Sequence, residues 1–195
     1  MNRKSIYITI TLVLLSLSLF PQQKDSVKVK LNHYSLTIGT GWTHYFNNLE
    51  NGDKDLHEDF AGVSFRFYWE PEHLLSLGLE TGYYKLFKGT YELNADTTAE
   101  VNRTVVPLLL LVRMRIVDHV YLGAGFGLAL LNNKVSGIGD EILTKTTSLA
   151  NFEFSAGYIY PLSRHWQVGG EARVYRFGSL EDWMMSVQAM CAFRF

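Results

Sequence analysis

Between Val120 and Leu130 the chain alternates. Val120, Leu122, Ala124, Phe126, Leu128 and Leu130 are apolar, and Tyr121, Gly123, Gly125, Gly127 and Ala129 between them are mostly small. A period of two is the period of a β-strand, whose successive side chains point to opposite faces. No segment after Lys30 sustains the longer period of a helix. The same reading predicts eight strands, at 33–46, 60–70, 74–88, 101–116, 120–131, 146–160, 166–178 and 183–195. Most run well past the roughly 5 to 6 residues usual in soluble sheets and reach the roughly 9 to 11 that a tilted strand needs to cross a bilayer.

The connections alternate in length. Short ones follow the second, fourth and sixth strands, at 71–73, 117–119 and 161–165, and long ones follow the first, third and fifth, at 47–59, 89–100 and 132–145. The last, at 179–182, is shorter. Short turns on one side and long loops on the other predict an all-β fold, an eight-stranded antiparallel up-and-down transmembrane β-barrel with periplasmic turns and external loops. Both termini then lie in the periplasm. His73, His119 and His165 end the three short turns at intervals of 46 residues, the length of one hairpin repeat. Successive turns on a barrel rim stand two strands apart, so these histidines are expected to be polar turn residues and not a shared metal site.

The faces differ in kind. The third strand sets Leu75, Leu77, Leu79, Tyr83 and Phe87 against Ser76, Gly78, Glu80, Gly82 and Tyr84, and the fourth sets Val106 to Ile116 in alternation against Arg113 and Arg115. Charge therefore sits with small and polar neighbours, away from the greasy face, the reverse of a soluble barrel. The inward set is mixed, with Arg66, Arg113, Arg115, Arg173 and Arg194 against Glu80, Glu153 and Glu171. Eight strands enclose a narrow interior that side chains nearly fill, so a network of Arg/Glu pairs closing the interior is expected. Aromatic residues fall near strand ends: Tyr68, Trp69, Tyr158, Tyr160 and Trp166 at the turn side, and Trp42, Phe60, Phe87 and Trp183 at the loop side. Pro107, inside the fourth strand, predicts a bulge or local break, because it lacks the N–H of a ladder bond.

Composition changes the picture little, since 47% hydrophobic and 19% charged residues are ordinary for a globular chain. With 18 basic and 19 acidic side chains there is no electrostatic case for nucleic acid. The single cysteine, Cys191, excludes an intrachain disulfide and a thiolate zinc cluster. The start reads as a cleavable signal peptide: Arg3 and Lys4 precede an apolar run from Ile6 to Phe20 that stops at Pro21 and is short for a membrane-spanning helix. Residues 1–23 are assigned to the signal and a short leader, with cleavage after Ser18 or, alternatively, at Gln22 or Gln23, and residues 24–195 to the barrel. The acidic loop at 47–59 carries Glu50, Asp53, Asp55, Glu58 and Asp59 without the spacing of a recognised calcium loop, so no metal or other cofactor is expected.

The chain ends on alternating outward positions, Trp183, Met185, Val187, Ala189, Cys191, Phe193 and Phe195. This resembles the C-terminal signal read by the barrel-assembly machinery, with Phe193 and Phe195 in the signal positions. Together with Arg113, the run 107–111 and the glycine-rich stretch 123–127, it makes the chain similar to the small outer-membrane β-barrel domain family of Gram-negative bacteria, akin to the barrel of outer-membrane protein A. The resemblance implies location in the cell outer membrane, with the lipid bilayer, lipopolysaccharide and the assembly machinery as partners. It leaves room for an unidentified extracellular or periplasmic partner.

The expected function is non-enzymatic: a structural or surface-interaction role through the external loops. A lipid-modifying enzyme, lipid A deacylase-like, is the rival, because His33-Tyr34-Ser35 has that family's His-x-Ser spacing. It lies on the first strand at the periplasmic end, and Leu36 stands where the deacylases have a polar residue. A narrow channel is a third reading, which a charge-filled interior opposes.

Overall fold

The computed structural model describes residues 32–46, 56–71, 74–94, 97–137, 142–178 and 182–195. The expected signal peptide, most of the first loop, and Glu72 and His73 lie outside them. The strands are β1 (His33–Phe46), β2 (Leu56–His57), β3 (Asp59–Glu70), β4 (Leu75–Asn94), β5 (Thr97–Val117), β6 (Val120–Ser136), β7 (Ile142–Pro161), β8 (Trp166–Arg176) and β9 (Trp183–Arg194). β2 pairs with β4 just past the end of the β3–β4 ladder, so it continues the β3 wall across an irregularity at Glu58. The remaining neighbours run β1-β3-β4-β5-β6-β7-β8-β9, and β9 pairs back onto β1. All are antiparallel, which gives a closed eight-stranded barrel with no edge around its wall.

Parity decides what faces where. On β6 the even residues from Val120 to Leu130 point out and Tyr121, Gly125 and Ala129 point in, buried. The outward apolar positions of β6, Val120 to Leu130, cover about 33 Å along the strand at about 3.3 Å per residue, or about 25 Å of height at a tilt near 40°. Leu108, Leu110, Phe126, Phe154 and Val187 all stand exposed on this outer belt. An apolar surface of that extent cannot face water. At the turn end it is bordered by Tyr34, Trp69, Tyr158, Tyr160 and Trp166, with His119 stacked against Tyr158 and Tyr160 and His165 against Phe193.

Glycines make room inside. Tyr84 lies across Gly62 on β3 and Tyr121 across Gly157 on β7, each pair directly cross-strand, and a Cβ on either glycine would overlap the ring. Pro107 interrupts pairing only on its β4 side, between Thr81↔Leu108 and Tyr84↔Val105, and the register is unchanged across the gap. The β6 ladder passes it undisturbed, with Pro107 opposite Ala129.

Two expectations are corrected. The stretches 89–100 and 132–145 are mostly not loops: β4 with β5 and β6 with β7 stay paired as hairpins to Asn94↔Thr97 and Val135↔Ile142. Four consecutive strands therefore rise far past the outer apolar belt, whereas β8, β9 and β1 stop near it. Phe87, Phe60 and Tyr68 do not belong to the outer aromatic belts. A bulge between Lys85 and Phe87 inverts parity, so Phe87 is buried inside, and Phe60 and Tyr68 share the inward face of β3 with Arg66.

Candidate functional site

The interior is layered. In the middle, five charged side chains from β3, β4, β7 and β8 meet, each 2% exposed or less at its side chain. Arg66 holds Glu171 with both terminal nitrogens, at 2.7 and 2.9 Å, and places Nε 2.9 Å from Glu80. Arg173 donates through Nη1 to both oxygens of Glu80 at 2.7 and 2.8 Å, and its Nε lies 2.9 Å from Glu171. The two Nε groups reach ion-pair distance without hydrogen-bond alignment. Glu153 is the outlying member, 3.5 Å from Arg173, and its Oε2 has no hydrogen-bond partner.

Neutral groups complete the layer. Arg173 Nη2 donates to Tyr84 Oη at 2.8 Å and to Gln188 Oε1 at 2.7 Å, Tyr175 donates to Glu80 at 2.6 Å, and Tyr121 donates to Glu171. A buried charge costs several kcal/mol unless its lone pairs and protons are met, and here most are.

A second cluster lies at the turn end. Glu70 accepts from Ser35 Oγ at 2.7 Å and from Arg113 at 2.5 Å, with Arg194 Nε at 3.3 Å, and the Arg113 guanidinium lies 4.1 Å over the Tyr68 ring. The middle layer has two guanidinium groups for three carboxyl groups and the turn-end layer two for one. Toward the loop end the interior packs Tyr45, Leu86, Phe87, Leu109, Leu131, Phe177 and Met184, with the Arg103 guanidinium over the Phe87 ring. Tyr45 donates to Asp182 above them.

Of the residues read from the sequence, Arg66, Glu80, Glu153, Glu171 and Arg173 come together, while Arg113 and Arg194 form the separate layer on Glu70. Arg115 joins neither; it is exposed where β5 ends, beside the bulge before Val117. Glu70 was not singled out, although it ends the strand read as 60–70 with the same parity as Arg66. Phe193 and Phe195 face outward, and the terminal residue exchanges both backbone hydrogen bonds with Tyr34, at 2.9 and 3.0 Å. Ser35 of the His-x-Ser pattern is buried inside the barrel. Among the described residues no group of three or more His, Cys, Asp or Glu is placed to hold a metal ion.

A closed eight-stranded wall with an apolar outside and a charged inside is a membrane barrel, and the family model for the outer membrane protein beta-barrel domain matches residues 9–195. The chain belongs to that family. This outer membrane β-barrel is similar in fold to Ail, the attachment invasion locus protein of Yersinia pestis, solved in complex with the heparin analogue sucrose octasulfate. The identity is 14%, the TM-score 0.57, and the match covers 85% of this chain and 100% of Ail. A major outer membrane protein of Thermus thermophilus matches with 14% identity, TM-score 0.58 and the same coverage. Neisserial surface protein A matches with 13% identity, TM-score 0.50, and 83% and 97% coverage. At these identities the likeness is one of fold. Among curated protein sequences none matches significantly.

Proposed function

We propose that this outer membrane β-barrel is a non-enzymatic surface-interaction protein whose contact surface is the four-stranded extension of β4 to β7. The observation that carries the reading is the extension itself. Beyond Val106 on β5 and Leu130 on β6, paired strand continues through Lys88, Glu100, Asn102, Asn132, Lys134 and Lys145, polar residues on the face that lower down carries the apolar belt. Among the described residues β7 pairs with β8 only from Phe152 to Pro161. A sheet held this far above the lipid suits contact with a partner.

In this reading the loop end faces outward and both termini the periplasm, residues 1–23 are a cleaved signal, and Phe193 and Phe195 are read by the assembly machinery. The interior is closed, by ion pairs in the middle and at the turn end and by the apolar plug at the loop end, and the purified protein gives no stepwise conductance in planar bilayers. The deacylase alternative is disfavoured because Ser35 donates its hydroxyl proton to a carboxylate already shared with Arg113, behind a wall that an acyl ester in the bilayer does not cross.

The test is to replace 89–100 and 134–143 by tight turns and compare intact cells bearing either form for adhesion to immobilised heparin, the class of ligand seen on Ail, and to a panel of matrix proteins. Loss of adhesion with unchanged surface amount is expected. Equal adhesion of trimmed and parent protein on every surface overturns the reading.

A further inference from the structure

The turn-end layer holds more guanidinium than carboxylate. Both oxygens of Glu70 are engaged: one accepts from Ser35 Oγ at 2.7 Å and from Arg113 Nη2 at 2.5 Å, and Arg194 Nε stands 3.3 Å from the other. The Arg113 guanidinium lies over two rings, 4.1 Å from the centre of Tyr68 and 5.3 Å from that of Tyr121, which fix its plane. Side-chain exposure rises from 6% at Glu70 and 10% at Arg113 to 30% at Arg194, so Arg194 is the member nearest the opening. Its Nε is enclosed by protein without an aligned acceptor. Arg115 has the inward parity of Arg113 one step nearer the turn, across from the buried Tyr121, and is exposed. His33, opposite Glu70 on β1, borders the same opening.

A guanidinium carries five N–H donors in one plane and holds a carboxylate most strongly through two of them at once. Glu70 occupies Nη2 of Arg113 and the Nε side of Arg194, which leaves the terminal edge of Arg194 directed at the opening beside Arg115. We infer that the turn-end mouth of the barrel binds a second carboxylate, brought from outside the barrel by an acidic peptide, with the two terminal nitrogens of Arg194 as its fork and Arg115 as a further cation. Because Arg194 is recessed, the carboxylate must arrive on a flexible stem, as the side chain of an acidic peptide does, and not on a flat surface. With the turn end facing the periplasm, as proposed above, the peptide is a periplasmic one; the site itself does not depend on that orientation.

The test titrates the purified folded barrel in an uncharged detergent at about 0.15 M salt, where long-range attraction is largely screened, and follows the arginine Nε–H signals by nuclear magnetic resonance. The ligands are N-acetyl diglutamate, the uncharged N-acetyl diglutamine amide, and inorganic phosphate. Diglutamate is expected to move the Arg194 signal, and the diglutamine amide is not. R194Q is expected to weaken diglutamate by about tenfold, the scale of one charge-assisted bidentate contact, and R115Q by about threefold. E70Q removes the competing carboxylate and is expected to tighten diglutamate by about fivefold, which a purely structural role for Glu70 does not give. R176Q takes the same charge from the loop end of β8, and its binding stays within about twofold of the parent. If E70Q fails to fold, R194Q and R115Q carry the test by themselves. The inference is overturned if R194Q binds diglutamate as the parent does, if R176Q weakens it as much as R194Q, or if the diglutamine amide binds as tightly as diglutamate. Inorganic phosphate binding as tightly as diglutamate also overturns it, since the mouth is then a general anion trap.

Discussion

Substituting Arg173 by methionine keeps most of the side-chain volume and removes the charge that holds the middle layer together. The parent layer has Arg66 and Arg173 for Glu80, Glu153 and Glu171; the variant leaves one guanidinium for three carboxylates, all at 2% exposure or less. Glu80 loses both hydrogen bonds from Nη1, and Tyr84 and Gln188 lose their common donor. Breaking a buried ion pair from one side costs about 3–5 kcal/mol, because the stranded charge stays buried. R173M should therefore lower unfolding stability by that amount, read as a shift in urea midpoint by tryptophan fluorescence in detergent micelles and as earlier loss of the folded band in heated gels. E153Q should have little effect. Glu153 reaches Arg173 only at 3.5 Å and its Oε2 is unbonded, so removing its charge should change stability by no more than about 1 kcal/mol. Added to R173M, it should recover part of the loss by taking away one of three crowded carboxylates. A cost below about 1 kcal/mol for R173M, or an equal cost for the two single variants, refutes the account of the layer.

Other outcomes follow from the same geometry. G157A forces the Tyr121 ring off its bed and breaks its hydrogen bond to Glu171, for a loss of about 2–3 kcal/mol in the same urea assay; Y121A should remove most of the added penalty, since without the ring the new methyl meets no obstacle. Phe195 lies outward at the barrel seam, so F195A should refold in detergent with a urea midpoint within about 1 kcal/mol of the parent yet accumulate far less in the outer membrane of cells. Equal losses in both settings would make Phe195 a stability residue and not an assembly signal.

The barrel wall was legible in the sequence because lipid outside and charge inside impose strict alternation. The first strand, read as 33–46, is β1 with the same bounds, and most other ends agree within two residues. Legibility failed where that contrast disappears. Above the outer apolar belt the alternation fades, so 89–94 and 142–145 lack the regular stripe that marks a strand and read as loops. At the loop end both faces are apolar: Val105, Leu109 and Leu111 point in while Val106, Leu108 and Leu110 point out, and the run shows no period to reveal an apolar plug. Phe87 was placed outside because one bulged residue inverts parity without changing composition. Within the interior the arginines and glutamates stood out as charges on a strand's small-residue face, but Tyr84, Tyr121, Tyr175 and Gln188 did not, because their role depends on which strands the register sets across the barrel.

The account turns on which end of the barrel meets the outside. In a Cys191→Ser background, single cysteines at Thr90 and Lys145 on the extension, and at Asp118 and Ser163 in the turns, can be reacted with a membrane-impermeant maleimide on intact cells; all four positions are exposed. The account predicts rapid labelling at Thr90 and Lys145, and labelling at Asp118 and Ser163 only after the outer membrane is permeabilised. Labelling of the turn positions on intact cells, with the extension silent, would contradict it.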